Sequence, residues 1–194
     1  MTPPLGDTRV LFTALVGLVA VMRLVELAVS RRNIARLEAR GAVEVGARLY
    51  PWMVAVHASF LLACVAEVWL LGRPFVPLLG VVSLGLLAGA AALRWWVIAT
   101  LGDRWSTRVL VLPEAPPVTG GPFRHLRHPN YLAVVVEFLA LPMVHSAWLT
   151  AVVFSAADAA VLWRRIRTEE AALAAAGDYR AALGDRPRFI PGAP

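Results

Sequence analysis

Gly120-Gly121-Pro122-Phe123-Arg124-His125-Leu126-Arg127-His128-Pro129-Asn130-Tyr131 is a polar stretch set between apolar ones. It places two Arg, two His and a Tyr, among helix-breaking Gly and Pro, directly before a long apolar run. A second polar cluster, Arg164-Arg165-Ile166-Arg167-Thr168-Glu169-Glu170, follows the last apolar run. The segment between them reads as two short spans, from Pro129 to about Val144 and from Ala147 to Trp163, turning at His145-Ser146. Proline at the start of the first suits the opening turn of a helix, where its missing N–H is not needed. A helical hairpin brings both clusters to one end and close together.

Working outward, the rest of the chain is apolar too. Of its 194 residues 59% are hydrophobic and 16% charged, against about 25% charged in an ordinary soluble domain. One domain is expected over residues 1–194, an all-α polytopic membrane bundle of about five transmembrane helices. Three spans precede residue 102: Val10 to Val29, Tyr50 to Leu71 and Phe75 to Leu101. In the first, Arg23 and Glu26 follow the apolar run from Val10 to Val21 with no small-residue cleavage site, so it reads as a retained span rather than a signal peptide. Residues 31–48 read as a short interfacial helix and a turn broken at Gly41, and 102–121 as an irregular loop with a short extended segment. The tail from Arg164 to Leu183 continues as an amphipathic helix, and Pro187 and Pro191 make an extended end.

Every basic residue is Arg, and the net charge is +6. These charges sit between apolar spans, the pattern of loops facing anionic lipid rather than of a nucleic-acid surface. Residues 31–48 carry five Arg, 102–128 four and 164–194 six, whereas the opposite connections offer Arg9 and Arg73. The excess puts the N-terminus outside and the C-terminus, with both polar clusters, in the cytoplasm. Within the spans, Arg23 and Glu26 share a helix face and can pair. His57 reads as an interior hydrogen-bonding residue, Glu67 as an interface residue and Cys64 as a small core residue. Gly85 and Gly89 form a small-xxx-small step that permits close helix packing.

Polar groups at membrane depth are costly unless paired, which marks the two clusters as a site. Arg, His and the N–H groups of a helix start suit a carboxylate or phosphate. Glu169 and Glu170 suit an ammonium group or ribose hydroxyls. That inventory fits a zwitterionic nucleotide-like cofactor such as S-adenosylmethionine, and also NADPH, where the arginines would hold phosphate. His125 and His128 are three apart, but no third ligand has metal-site spacing, so no metal is expected.

Gly121-Pro122-Phe123 followed by Arg127-His128-Pro129-Asn130-Tyr131 before one span, and Arg165 to Glu170 after the next, resembles the isoprenylcysteine carboxyl methyltransferase family. The resemblance covers roughly residues 85–190, including Leu101 to Arg108. It implies an integral membrane methyltransferase using S-adenosylmethionine on a lipophilic or prenylated substrate. It also implies a cofactor pocket of His125, Leu126, Arg127, His128, Pro129, Tyr131, Glu169 and Glu170, with Arg165 and Arg167 near the substrate head group or phospholipid. The Arg-His-Pro-Asn-Tyr motif also occurs in membrane sterol reductases that use NADPH. After Tyr131 the chain departs from the prenyl-protein enzymes. Glu137, followed by Phe138, looks more like bacterial relatives that methylate long-chain alkylpyrones or alkylresorcinols. Catalytic roles then fall to Glu137, His128 and Arg165. Glu137 is either a general base or a structural carboxylate satisfied by an arginine such as Arg94.

Overall fold

The computed structural model describes residues 7–113 and 115–189; the extended end expected at Pro191 lies outside them. Its elements run α1 (Thr8–Ala39), β1 (Val43–Glu44), α2 (Tyr50–Leu70), α3 (Pro77–Leu101), β2 (Leu110–Val111), α4 (Pro129–Met143), α5 (Trp148–Ala176) and α6 (Tyr179–Leu183). Three of them, α1, α2 and α3, are long and apolar enough to cross a membrane, and α4 is a shorter apolar helix. Proline stands in the first turn of α2, α3 and α4, where it removes no helical hydrogen bond. The helices alternate in direction, so the C-termini of α1, α3 and α5 and the N-termini of α2 and α4 share one end, the site end.

The core is the seam of α1, α2, α3 and α4, with Phe154 of α5 packed against it. Phe12, Val16, Phe60, Cys64, Val68, Phe138 and Leu141 are buried there. Phe60 stacks on Phe138 with centroids 4.2 Å apart. The outer faces are apolar, with Leu62, Leu70 and Leu78 largely exposed, as a lipid-facing surface requires.

Three expectations need correction. The arginines after Val29 do not form a separate interfacial helix, because α1 runs on to Ala39. It stops where Gly41, at φ +85°, takes the left-handed conformation that ends helices. A Cβ at Gly85 or Gly89 would meet nothing within 4 Å, so among the described residues that small-residue step packs against no helix. Glu67, read as an interface residue, is buried and caps a helix. Its carboxylate accepts from the backbone N–H of Thr150 (2.6 Å) and Leu149 (3.2 Å) and from Arg73 (2.7 Å). An anion there suits the N-terminal end of α5, whose first amides lack helical partners.

At the site end the loops are tied to the helices. β1 and β2 pair antiparallel, Val43 opposite Val111 and Glu44 opposite Leu110, which fastens the α1–α2 connection to the α3–α4 loop. Asn33 of α1 donates to the carbonyls of Trp105 (2.8 Å) and Gly102 (3.1 Å). Ser30 accepts from the N–H of Thr107 at 2.9 Å. Gly121 adopts φ +55°, and a side chain there would run into Thr100. The polar stretch can therefore lie directly against the last turn of α3.

Candidate functional site

The two polar clusters meet. His128 is the N-cap residue of α4, so Pro129, Asn130 and Tyr131 occupy its first turn. Arg165, Glu169 and Glu170 occupy successive turns of α5, which runs past them to Ala176. Tyr131 is the link: its hydroxyl accepts from Arg165 Nε at 2.8 Å and donates to Glu169. Arg165 is buried. Its other nitrogens donate to the Thr107 carbonyl at 2.7 Å and to the Met53 sulfur at 2.8 Å. A thioether is a weak acceptor, so that last donor would exchange readily for an oxygen anion.

Glu170 is a second hub. Arg188 grips it through Nε (3.0 Å) and Nη2 (2.6 Å), His128 Nε2 lies 2.9 Å away, and Arg127 approaches to 3.4 Å. Burial pushes this carboxyl upward. The hydrogen bonds and charges of His128 and Arg188 outweigh it and hold the group far below the usual carboxylate range. The tail is stitched down beside it. The N–H of Arg127 donates to the Pro187 carbonyl (2.9 Å) and that of His128 to the Arg188 carbonyl (3.3 Å). Arg186 donates to the Thr119 (3.3 Å) and Phe123 carbonyls.

Between these clusters, the 105–118 loop and α6 lies a cavity of about 220 Å³. Of the residues singled out from sequence, Arg127, His128, Pro129, Tyr131, Arg165 and Glu169 line it. Glu170 faces a neighbouring basin instead. His125 is exposed, and Leu126 is buried away from the cavity wall. Sequence reasoning missed Trp105, Asn130 and Tyr179 as cavity residues. Their indole N–H, amide oxygen and hydroxyl, with Nε of Arg127, are buried and without hydrogen-bond partners. Burial and the carboxylates of Glu169 and Glu170 keep the Tyr179 phenol protonated well above its ordinary range, so it stays a donor. Asn130 stands inside the opening stretch, and Trp105 within Leu101 to Arg108. The signal available was their place in those segments.

Glu137 lies elsewhere. It is buried and does not line the cavity. Its carboxylate pairs with Arg94 at 2.7 Å and faces Arg23 at 3.7 Å. Arg23 also pairs with Glu26 at 2.6 Å, and Arg94 lies 3.8 Å from Glu26. The four form a net-neutral cluster joining α1, α3 and α4. His57 and Asp158 bring α2 and α5 to the same level. Glu26, His57, Arg94, Glu137 and Asp158 stand two turns into the bundle from Asn33, Tyr50, Leu101, Asn130 and Arg165, ~10 Å at the rise of a helix. His57 hydrogen-bonds the Met53 carbonyl at 2.9 Å through Nδ1 and sets its ring edge-on to Phe138. Each of α1 to α5 thus contributes to one polar layer beneath the cavity.

The profile of the isoprenylcysteine carboxyl methyltransferase (ICMT) family matches residues 82–175. The uncharacterized protein YpbQ of Bacillus subtilis (strain 168) is 35% identical over 164 residues, 84% of this chain and 96% of that protein. The chain belongs to the isoprenylcysteine carboxyl methyltransferase family. An uncharacterized protein of Haemophilus influenzae is 29% identical over 156 residues, 80% of this chain and 90% of that protein. The matched region begins inside α3 and ends inside α5, so it holds most of the cavity wall and both polar clusters. The family consists of membrane methyltransferases acting on lipid-like substrates, whose members generally use S-adenosylmethionine.

Proposed function

We propose that the chain is an S-adenosylmethionine-dependent O-methyltransferase of the bacterial inner membrane, acting from the cytoplasmic face on a long-chain lipophilic acceptor. One observation carries the reading. Four residues lining one cavity, Trp105, Arg127, Asn130 and Tyr179, each carry a buried polar atom without a partner among the described residues, beside the Tyr131–Arg165–Glu169 chain. Buried polar groups are ordinarily satisfied, and these supply the mixed donors and acceptor that a nucleoside with a zwitterionic tail requires. The bound cofactor would supply an electrophilic methyl group on its sulfonium.

The protein's part is placement. Glu169, held by the Tyr131 hydroxyl, offers a carboxylate for the ammonium or ribose groups, and Trp105 and Tyr179 offer donors to the rest. Arg165 is fixed by Tyr131 and Thr107, with one N–H on the Met53 sulfur. It can turn that donor to an acceptor oxygen and hold it in line while the enclosed cavity excludes water. Glu137 stands in its ion cluster outside the cavity. A carboxylate acceptor, already ionised at pH 7, therefore asks least of this site. For a phenol or enol, His128 is the candidate at the cavity wall to take the proton. The arginine-rich loops all lie at the site end, which the positive-inside rule assigns to the cytoplasm. The α4–α5 hairpin would supply the fourth and fifth spans.

Calorimetry of the full chain in detergent micelles with S-adenosylhomocysteine and with NADPH tests the reading. Labelled methyl transfer to a prenylcysteine and to an alkylresorcinol then sorts the acceptors. S-adenosylhomocysteine is expected to bind and NADPH not. Binding of NADPH alone would replace this reading with that of a membrane reductase.

A further inference from the structure

On the other side of Glu170 from the cofactor cavity lies an open basin of about 560 Å³. Its wall carries four arginines, Arg127, Arg167, Arg180 and Arg188, against two carboxylates, Glu170 and Asp185. Arg188 is spent on Glu170, and Arg127 leans on the same carboxylate. Arg167 and Arg180 are exposed and make no ion pair or side-chain hydrogen bond among the described residues. The basin thus holds a surplus of guanidinium groups with free planar forks, the geometry that receives phosphate oxygens two at a time.

We propose that this basin is a binding site for a phosphate-centred anion, taken as the headgroup of an anionic membrane lipid. Its position argues for the lipid. Trp163, just over half exposed at 55%, ends the apolar part of α5, where aromatic side chains mark the membrane–water boundary. Arg167, one turn further on, places its guanidinium over the Trp163 ring, 5.6 Å from the centroid. The basin's lower rim therefore stands at headgroup level, where the surface potential of an anionic leaflet concentrates basic side chains. A headgroup seated there would complete Arg167 and Arg180 as Glu170 completes Arg188. The basin shares Arg127 and Tyr179 with the cofactor cavity, so the two sites touch without being one.

The test uses the full chain in nanodiscs of DOPC alone or of DOPC with one-fifth DOPG. Native mass spectrometry reads retained lipid and thermal unfolding reads stabilisation. A third arm adds inorganic phosphate to the DOPC discs, against chloride at equal ionic strength. Arg167→Gln/Arg180→Gln is the variant; both residues are exposed, and its melting in DOPC should match the parent's. The parent should retain DOPG over DOPC and melt higher with it, and the variant should bind DOPG about tenfold to thirtyfold more weakly. A response to DOPG without one to phosphate assigns the site to the lipid. An equal response to phosphate upholds the anion site and assigns it to soluble phosphate esters. Equal retention of both lipids with no phosphate response, or a variant that responds like the parent, overturns the proposal. Because S-adenosylhomocysteine binding is measured separately, failure here leaves the methyltransferase reading standing.

Discussion

Glu137→Gln separates a base from a brace. The substitution keeps shape and removes one charge from a cluster of two arginines and two glutamates, leaving it with a net positive charge. Arg94 loses its 2.7 Å partner and keeps only Glu26 at 3.8 Å. Breaking a buried pair by removing one member costs about 3–5 kcal/mol, because the remaining charge is left uncompensated. The amide oxygen of Gln can still accept from Arg94, which places the expectation at the lower end, ~3 kcal/mol. In a chain of this length that corresponds to a fall of roughly 6–12 °C in Tm. Arg94→Met/Glu137→Leu removes both charges, leaves the Arg23–Glu26 pair intact, and should recover most of the loss. S-adenosylhomocysteine affinity should be unchanged in both variants, since Glu137 does not line the cavity. Thermal unfolding in micelles and calorimetry read these quantities. If Glu137→Gln melted like the parent yet lost nearly all methyl transfer to a phenolic acceptor, the brace would be refuted and Glu137 would be the proton acceptor.

Tyr131→Phe removes the hydroxyl that joins Arg165 to Glu169; hydrogen bonds to charged groups contribute about 1.5–3 kcal/mol, so kcat/KM should fall roughly 10- to 100-fold. Trp105→Phe deletes an unpartnered donor in the cavity, and calorimetry should show S-adenosylhomocysteine binding several-fold to about tenfold more weakly with Tm unchanged. Glu170 carries a depressed pKa in the folded chain, so its contribution is fully present above its unfolded value of about 4.3 and is lost as pH falls below that. Melting between pH 3 and 7 should show this decline in the parent, and Glu170→Gln should flatten it.

Much of the site was legible because polar residues in an apolar chain are conspicuous. The spacing of the two clusters around a hairpin predicted their meeting, and Tyr131, Arg165 and Glu169 do join in one hydrogen-bonded chain. Periodicity could not say on which side of the wall a residue would fall. Glu169 and Glu170 are adjacent, and successive residues on a helix point about 100° apart. One faces the cavity and the other the basin. The Arg23–Glu26 pair was legible from its spacing and the pairing of Glu137 with Arg94 was one of two readings, but the joining of the two pairs depends on how α1 is set against α3 and α4. The capping role of Glu67 was hidden for the same reason, since its partners on α5 lie far away in sequence. The role of Arg188 was not legible, because arginines scattered among prolines near residue 187 carry no local pattern.

The tail has a consequence for how the protein is made. Ribosomes deliver the chain from the N-terminus, so α1 to α5 can enter the bilayer before residues 186–189 exist. Those residues supply the carbonyls that the backbones of Arg127 and His128 bind, and the guanidinium that holds Glu170. These ties to Arg127, His128 and Glu170 can therefore form only after α1 to α5 have been made. A chain lacking residues 186–189 would keep the helices and the cavity wall, but Arg127, His128 and Glu170 would lose these partners.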